Sequence, residues 1–229
     1  RFRRKTDAQL SRGLYDGFTE QALGVLTSPK LVEALDLERE DPKVRAMYGT
    51  DNPTVLGYSL DKGYQAVMSR FLQARRAVEA GARCVTCSFA HFDWHGSNFG
   101  NARKVLPLLD QGIAALVQEL HDRGMEKDVT VVVWGEFGRT PMINNRAGRD
   151  HWPKVFSVAM AGGGVKRGLA HGTSNATGAE PEDNPVSIED FAHTVYHLMG
   201  IDAGKELMAP GARPIEIVAN GNVIKEILA

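Results

Sequence analysis

Three short apolar runs in the second half of the chain predict buried β-strands. They are Cys84–Phe89, Val129–Trp134 and Val155–Met160. The middle run is almost continuously apolar, which is typical of a strand covered on both faces of a parallel sheet. A helix between the first two runs is indicated by apolar residues at helical spacing, namely Leu109, Ile113, Leu116, Val117 and Leu120. The strand–helix–strand order predicts a right-handed βαβ unit.

The first 80 residues carry a helical pattern and no run typical of a buried strand. Ser28-Pro29 and Asp41-Pro42 each have the form of an N-cap followed by proline in the first turn. Apolar residues over 55–80 also follow helical spacing. We therefore predict a helical segment over 1–80 that belongs to the same domain as an α/β core over 81–229. Within that core, Ser187 is expected to cap a last helix.

Composition narrows the class of protein without giving a function. The 229 residues are 43% hydrophobic and 24% charged, with a net charge of -1, so nucleic acid and anionic membranes are not expected as partners. No apolar run approaches the roughly 20 residues of a membrane span. The basic start, Arg1–Lys5, has no apolar stretch after it and no initiator Met, which suggests a fragment or a processed chain. Cys84 and Cys87 are interpreted as ordinary strand residues.

Metal-binding and oxyanion-binding residue types follow the predicted strands. Because ligands gather at the carboxyl ends of parallel strands, the three loops there are expected to form one site. The candidates are Asp93, Glu136, Asp150, His91, His95, His151, Arg139 and Arg149. Carboxylates with imidazoles suit zinc, manganese or iron, and arginines suit phosphate or sulfate. The alternative is structural, with these residues capping turns. His171, His193 and His197 are weaker candidate ligands.

Four sequence blocks carry a family resemblance. They are Asp93-Trp94-His95, Leu106-Pro107-Leu108-Leu109-Asp110, Gly135-Glu136-Phe137-Gly138-Arg139-Thr140-Pro141 and Gly148-Arg149-Asp150-His151-Trp152-Pro153. Together they resemble the domain-of-unknown-function family 1501, which is itself similar to the alkaline phosphatase and sulfatase superfamily. The resemblance implies an α/β fold with a doubly wound, mostly parallel sheet and flanking helices, incomplete at the N-terminus.

The same resemblance implies roles for individual residues. Asp93, His95 and His151 would bind one divalent metal, zinc first, with manganese, iron or calcium as alternatives. Glu136 matches a ligand of the superfamily's second metal, but Phe137 stands where a second metal-binding histidine is usual. The second metal site is therefore expected to be weakened or absent. Asp110 is expected in the first turn of its helix, in a structural role.

The function expected from these residues is metal-dependent hydrolysis of a phosphate or sulfate ester, carried by a small molecule or a glycan. Glu136 would act as a second ligand or general base, and Arg139 or Arg149 would hold the oxyanion. The alternative is a catalytically weak relative that serves as a binding or structural module. The nucleophile is expected upstream of Arg1. The resemblance also suggests an exported or periplasmic protein, and the oligomeric state is left open.

Overall fold

The computed structural model describes residues 17–56 and 65–229. The described residues belong to two compact units, one holding those up to His91 with Val105–Leu116, the other Phe92–Lys104 with Val117–Ala229. The basic segment at the start of the chain and residues 57–64 of the predicted helical stretch lie outside the described residues.

The helices account for most of the regular structure. The α-helices are α1 (Gly17–Leu26), α2 (Pro29–Leu35), α3 (Pro42–Tyr48), α4 (Ser69–Glu79), α5 (Asn98–Asp122) and α6 (Ile188–Leu198), with short 3-10 helices at Leu37–Arg39 and Lys225–Ile227. Asp41 caps α3 by accepting a hydrogen bond from the Lys43 amide at 2.7 Å, as its sequence predicts. Ser187 likewise caps α6, with its hydroxyl accepting from the Asp190 amide. Among the described helices, none is long and apolar enough to cross a membrane.

The first unit has a small apolar core. Its buried members are Tyr48, Met68, Phe71, Leu72 and Ala115. The Phe71 ring lies so close to α5 that a Cβ at Gly112 would come within 2.3 Å of it. A bare backbone at this position therefore allows the ring to reach the core.

The strands are short and pair in antiparallel twos. The pairs are β1 (Asn52–Leu56) with β2 (Gln65–Ala66), β3 (Thr130–Val133) with β6 (Ala159–Gly162), β4 (Gly138–Arg139) with β5 (His151–Trp152), β7 (Thr173–Ser174) with β8 (Pro181–Asp183), and β9 (Glu206–Ala209) with β10 (Arg213–Glu216). β1 and β2 both lie within the segment over 1–80 that the sequence predicts to be helical.

The prediction of a doubly wound parallel sheet is wrong. The described residues form a mixture of helices and two-stranded antiparallel pairs. Residues 84–89 run as irregular chain, and β3 pairs with β6 in the register Thr130↔Gly162 to Val133↔Ala159. The apolar run at β3 does mark a strand, but apolar character reports burial and carries no information about the direction of pairing.

The helix after the first predicted strand begins earlier than expected. It starts at Asn98 and contains Pro107 in its interior, so Asp110 lies in mid-helix and the prediction of a first-turn position was wrong. An interior proline costs a helix about 3 kcal/mol. Residue Val105, two positions before that proline, is 1% exposed. Burial of apolar residues on this turn helps to offset the cost of the proline.

Candidate metal centre

A short hairpin in the second unit places two of the predicted site residues opposite each other. In the β4–β5 pair, Arg139 is the partner of His151 and Gly138 is the partner of Trp152. The Thr140 amide continues the pairing by donating to the Asp150 carbonyl at 2.9 Å. Residues 140–150 thus form the hairpin loop, and its base carries an arginine and a histidine side by side.

Backbone hydrogen bonds hold this hairpin loop against the segment that contains Asp93 and His95. The Ser97 amide donates to the Arg146 carbonyl at 3.0 Å, and the Arg149 amide donates to the Trp94 carbonyl at 3.2 Å. Gly148 lies against the His95 backbone, since a Cβ there would come within 2.1 Å of the His95 carbonyl carbon. The glycine in the G-R-D-H-W-P block therefore permits a close approach of the two loops.

Three predicted ligands converge at this junction. Asp93 Oδ1 lies 2.7 Å from His151 Nε2 and 2.9 Å from His95 Nε2. The two Nε2 atoms are 3.1 Å apart. Asp93, His95 and His151 therefore form a candidate metal-binding group, with one ligand atom from each residue facing the other two.

The donor set and its spacing fit a small divalent cation. Two imidazole nitrogens and one carboxylate oxygen are ligands that zinc takes in proteins. Around a tetrahedral zinc, with ligands at about 2.0–2.1 Å, such atoms lie about 3.3 Å apart. To bind zinc, each pair of ligand atoms would therefore have to move apart by only a few tenths of an ångström from the distances in this structure.

Asp150 contacts His95 from the side opposite the ligand group. Its Oδ1 lies 2.6 Å from His95 Nδ1, while His95 Nε2 faces Asp93. Asn144 supports both residues, because its Nδ2 donates to the His95 carbonyl at 3.1 Å and to Asp150 Oδ1 at 3.3 Å. The Asn144 Oδ1 accepts from the Gly148 amide at 2.9 Å. Sequence reasoning placed Asp150 near the site without a role and missed Asn144.

Two carboxylates, Asp93 in the group and Asp150 beside it, carry negative charge, and Arg139 pairs with the first of them. The hydrogen bond from His151, and next that from Arg139, holds the pKa of Asp93 well below its ordinary value. The hydrogen bond from His95, followed by that from Asn144, lowers the pKa of Asp150. Both carboxylates are thus ionised at neutral pH, which favours a bound cation.

The chain belongs to the DUF1501 family. The profile of that family, described as a protein of unknown function, matches residues 2–228. No curated protein and no solved structure matches the chain. The resemblance drawn from the four sequence blocks to this family is confirmed.

The other candidate residues of this DUF1501 chain lie around the group or apart from it. Glu136 is exposed on the turn between β3 and β4 and is not one of the three grouped ligands, so its metal or catalytic role stays a prediction. Phe137 packs on His151, with ring centroids 4.3 Å apart. A phenyl ring in this position cannot bind a metal, but it does limit the movement of His151.

The two arginines are already engaged in contacts within the second unit. Arg139 Nη2 donates to Asp93 Oδ1 at 2.8 Å, and its Nη1 donates to the Arg149 carbonyl at 3.2 Å. Arg149 Nη1 donates to the Thr140 carbonyl at 2.8 Å, and its guanidinium lies over the Phe99 ring. Arg139 therefore touches the ligand group directly, whereas the contacts of Arg149 stabilise the hairpin loop. The oxyanion role of each arginine stays a prediction.

The weaker histidine candidates do not join the group. His193 Nε2 lies 3.1 Å from the Val218 carbonyl oxygen, and His197 is exposed on α6. His171 is also outside the three grouped residues. The two histidines at helical spacing therefore lie outside the candidate metal-binding group.

Proposed function

We propose that this chain is a divalent-metal-dependent hydrolase of phosphate or sulfate esters, with its metal held by Asp93, His95 and His151. The observation that carries the proposal is the convergence of these three ligand atoms at 2.7–3.1 Å from one another. The resemblance of Val131–Gly138 and Ser187–Ile201 to segments of the alkaline phosphatase and sulfatase superfamily supports an ester of phosphate or sulfate as substrate. A metal bound there would supply Lewis-acid polarisation of the ester oxygen.

Arg139 is the residue best placed to bind the oxyanion of the substrate. It touches Asp93, and the two hydrogen bonds described for it use only two of the five N–H donors of a guanidinium. The other donors can bind substrate oxygens in the forked geometry that suits phosphate and sulfate. Arg149 is the second candidate, since its contact with Thr140 also leaves donors.

Glu136 is proposed as general base or additional metal ligand. It precedes Phe137, whose ring packs on the ligand His151, so the turn that carries Glu136 borders the site. As a general base, Glu136 would remove the proton from the hydroxyl group whose oxygen attacks phosphorus or sulfur, and that proton would pass to the ester oxygen as it leaves. The exposed position of Glu136 is compatible with movement toward a bound substrate.

A second function, that of a binding or structural module with little catalysis, is favoured by one observation. Phe137 stands where the alkaline phosphatase and sulfatase superfamily usually has a metal-binding histidine in the turn that resembles this one. The Phe137 ring packs on His151. Chemistry that needs two metals is therefore disfavoured. A chain that binds one metal without turning over esters would fit this second function.

The test is a metal-dependent activity assay on the intact protein. The protein is treated with a chelator, reloaded with zinc, manganese or calcium, and assayed with p-nitrophenyl phosphate and p-nitrophenyl sulfate. We expect turnover that requires the added metal, and we expect His151→Ala to lose both the bound metal and the turnover.

The matched control is His197→Ala, which removes an exposed imidazole of the same unit that lies apart from the group. It should bind metal and hydrolyse ester like the wild type. Turnover that persists after complete metal removal would contradict the proposal. Metal bound by Asp93, His95 and His151 without turnover of either ester would favour the binding module.

A further inference from the structure

The Asp150 side chain contacts both the His95 ring and the Asn144 side chain. Its Oδ1 lies 2.6 Å from His95 Nδ1, and the two Asp150 oxygens lie 3.3 and 3.4 Å from Asn144 Nδ2. An ionised carboxylate can accept hydrogen bonds but cannot donate them, so the proton of this hydrogen bond belongs to His95 Nδ1. That assignment leaves Nε2 as the nitrogen that faces Asp93 and His151.

We propose that Asp150 is a positioning residue that fixes the ring orientation and tautomer of His95, so that Nε2 is the metal-binding nitrogen. The inference rests on the proposed metal site and deepens it. Histidine ligands commonly donate their second ring N–H to a carboxylate, which fixes the ring and raises its basicity as a ligand.

The surrounding contacts separate this role from simple support of the loop. Asn144 binds the His95 carbonyl with Nδ2 and the Gly148 amide with Oδ1, so it holds the two backbones together. The His95 backbone is thus placed by Asn144, whereas the ring is oriented by Asp150. Removal of the Asp150 charge should therefore change how His95 binds a metal more than it changes the stability of the chain.

The first measurement is the dissociation constant for zinc, determined by competition with a chromogenic chelator. We expect Asp150→Asn to weaken zinc binding by about 10–100-fold, the usual effect of losing such a partner. Asp150→Glu retains the charge and should recover part of the affinity. The control is Asp128→Asn, which removes an exposed carboxylate of the same unit and should bind zinc like the wild type.

The second measurement needs no metal and no substituted Asp150. Nitrogen-15 NMR of the metal-free wild type, with the His95 signals assigned by their absence in His95→Gln, reports which ring nitrogen carries the proton. We expect a proton on Nδ1. This readout remains decisive if Asp150→Asn does not fold.

The outcomes separate this inference from the proposed function. A wild-type protein that binds zinc but hydrolyses no ester defeats the hydrolase and leaves the role of Asp150 standing. Equal zinc affinity of wild type and Asp150→Asn, or an Nδ1 without a proton in the metal-free wild type, overturns the inference. A wild type that binds none of zinc, manganese and calcium overturns both.

Discussion

Gly148→Ala tests whether the close approach of the two loops builds the candidate metal site. The added Cβ would lie 2.1 Å from the His95 carbonyl carbon and 2.4 Å from the Gly96 amide nitrogen. Atoms in ordinary contact are about 3.5–4.0 Å apart, so the two backbones must separate by about 1 Å or more. Both neighbouring atoms belong to backbone, which cannot move aside as the end of a flexible side chain can.

The expected loss follows from the size of that displacement. A shift of about 1 Å is twice the tolerance of about 0.5 Å within which a functional constellation must be held. We expect zinc affinity to fall by at least about 10-fold, which corresponds to about 1.4 kcal/mol of binding free energy. Overpacking should also lower the free energy of unfolding by about 1–3 kcal/mol.

The assay compares zinc titrations and urea unfolding of Gly148→Ala with those of Gly96→Ala. A Cβ at Gly96 meets nothing closer than 3.7 Å, which is ordinary contact, so this variant adds the same methyl group beside His95 without displacement. It should resemble the wild type in both measurements. If Gly148→Ala also resembled the wild type, the packing argument for the site would be refuted.

Three further predictions concern other parts of the chain. If Glu136 is the general base, Glu136→Gln should lower ester turnover by about 100-fold or more. The thermal midpoint should not change, because the side chain is exposed. Loss of turnover that is accompanied by a large fall in the thermal midpoint would contradict this prediction. Glu40 is 9% exposed and paired with two arginines, of which Arg75 also keeps an ion pair with Glu79. Glu40→Ala should therefore cost about 1–3 kcal/mol in urea unfolding. Glu38→Ala, at a side chain 84% exposed, should cost under about 0.5 kcal/mol. The Ser187 hydroxyl lowers the pKa of Asp190 in the folded chain. The charge of Asp190 therefore stabilises the fold at pH values above the ordinary Asp pKa. This contribution is lost as the pH falls through the pKa that Asp190 has in the folded chain. Asp190→Asn should be about 0.3–1 kcal/mol less stable than wild type at neutral pH, and this difference should shrink as the pH falls below the ordinary Asp pKa. A difference in stability that does not depend on pH would refute the assignment.

Features set by a few neighbouring residues could be predicted from the sequence. The run of valines marks β3, and Ser187 marks the start of α6. Pairing between distant segments could not be predicted in the same way. The partner of β3 is antiparallel β6, and the contact between Gly148 and the His95 backbone joins loops that are far apart in the chain. A local hydrophobic pattern reports which face is buried, while these pairings depend on the whole fold.

The candidate ligands could be predicted although the sheet was wrong, because most of the group is local. Asp93 and His95 are two residues apart and both reach the group, while Trp94 between them is 3% exposed and turns away to be buried. An alternation of this kind needs only a short segment in which the first and third side chains reach the same group while the second is buried. A single long-range contact then completes the group, and the β4–β5 hairpin supplies it by presenting His151 beside Arg139. The parallel sheet was one arrangement that could bring His151 to Asp93, and an antiparallel hairpin does so as well. The chemistry of the site therefore depends on the D-W-H segment and on one hairpin, and it does not require the fold from which its location was first inferred.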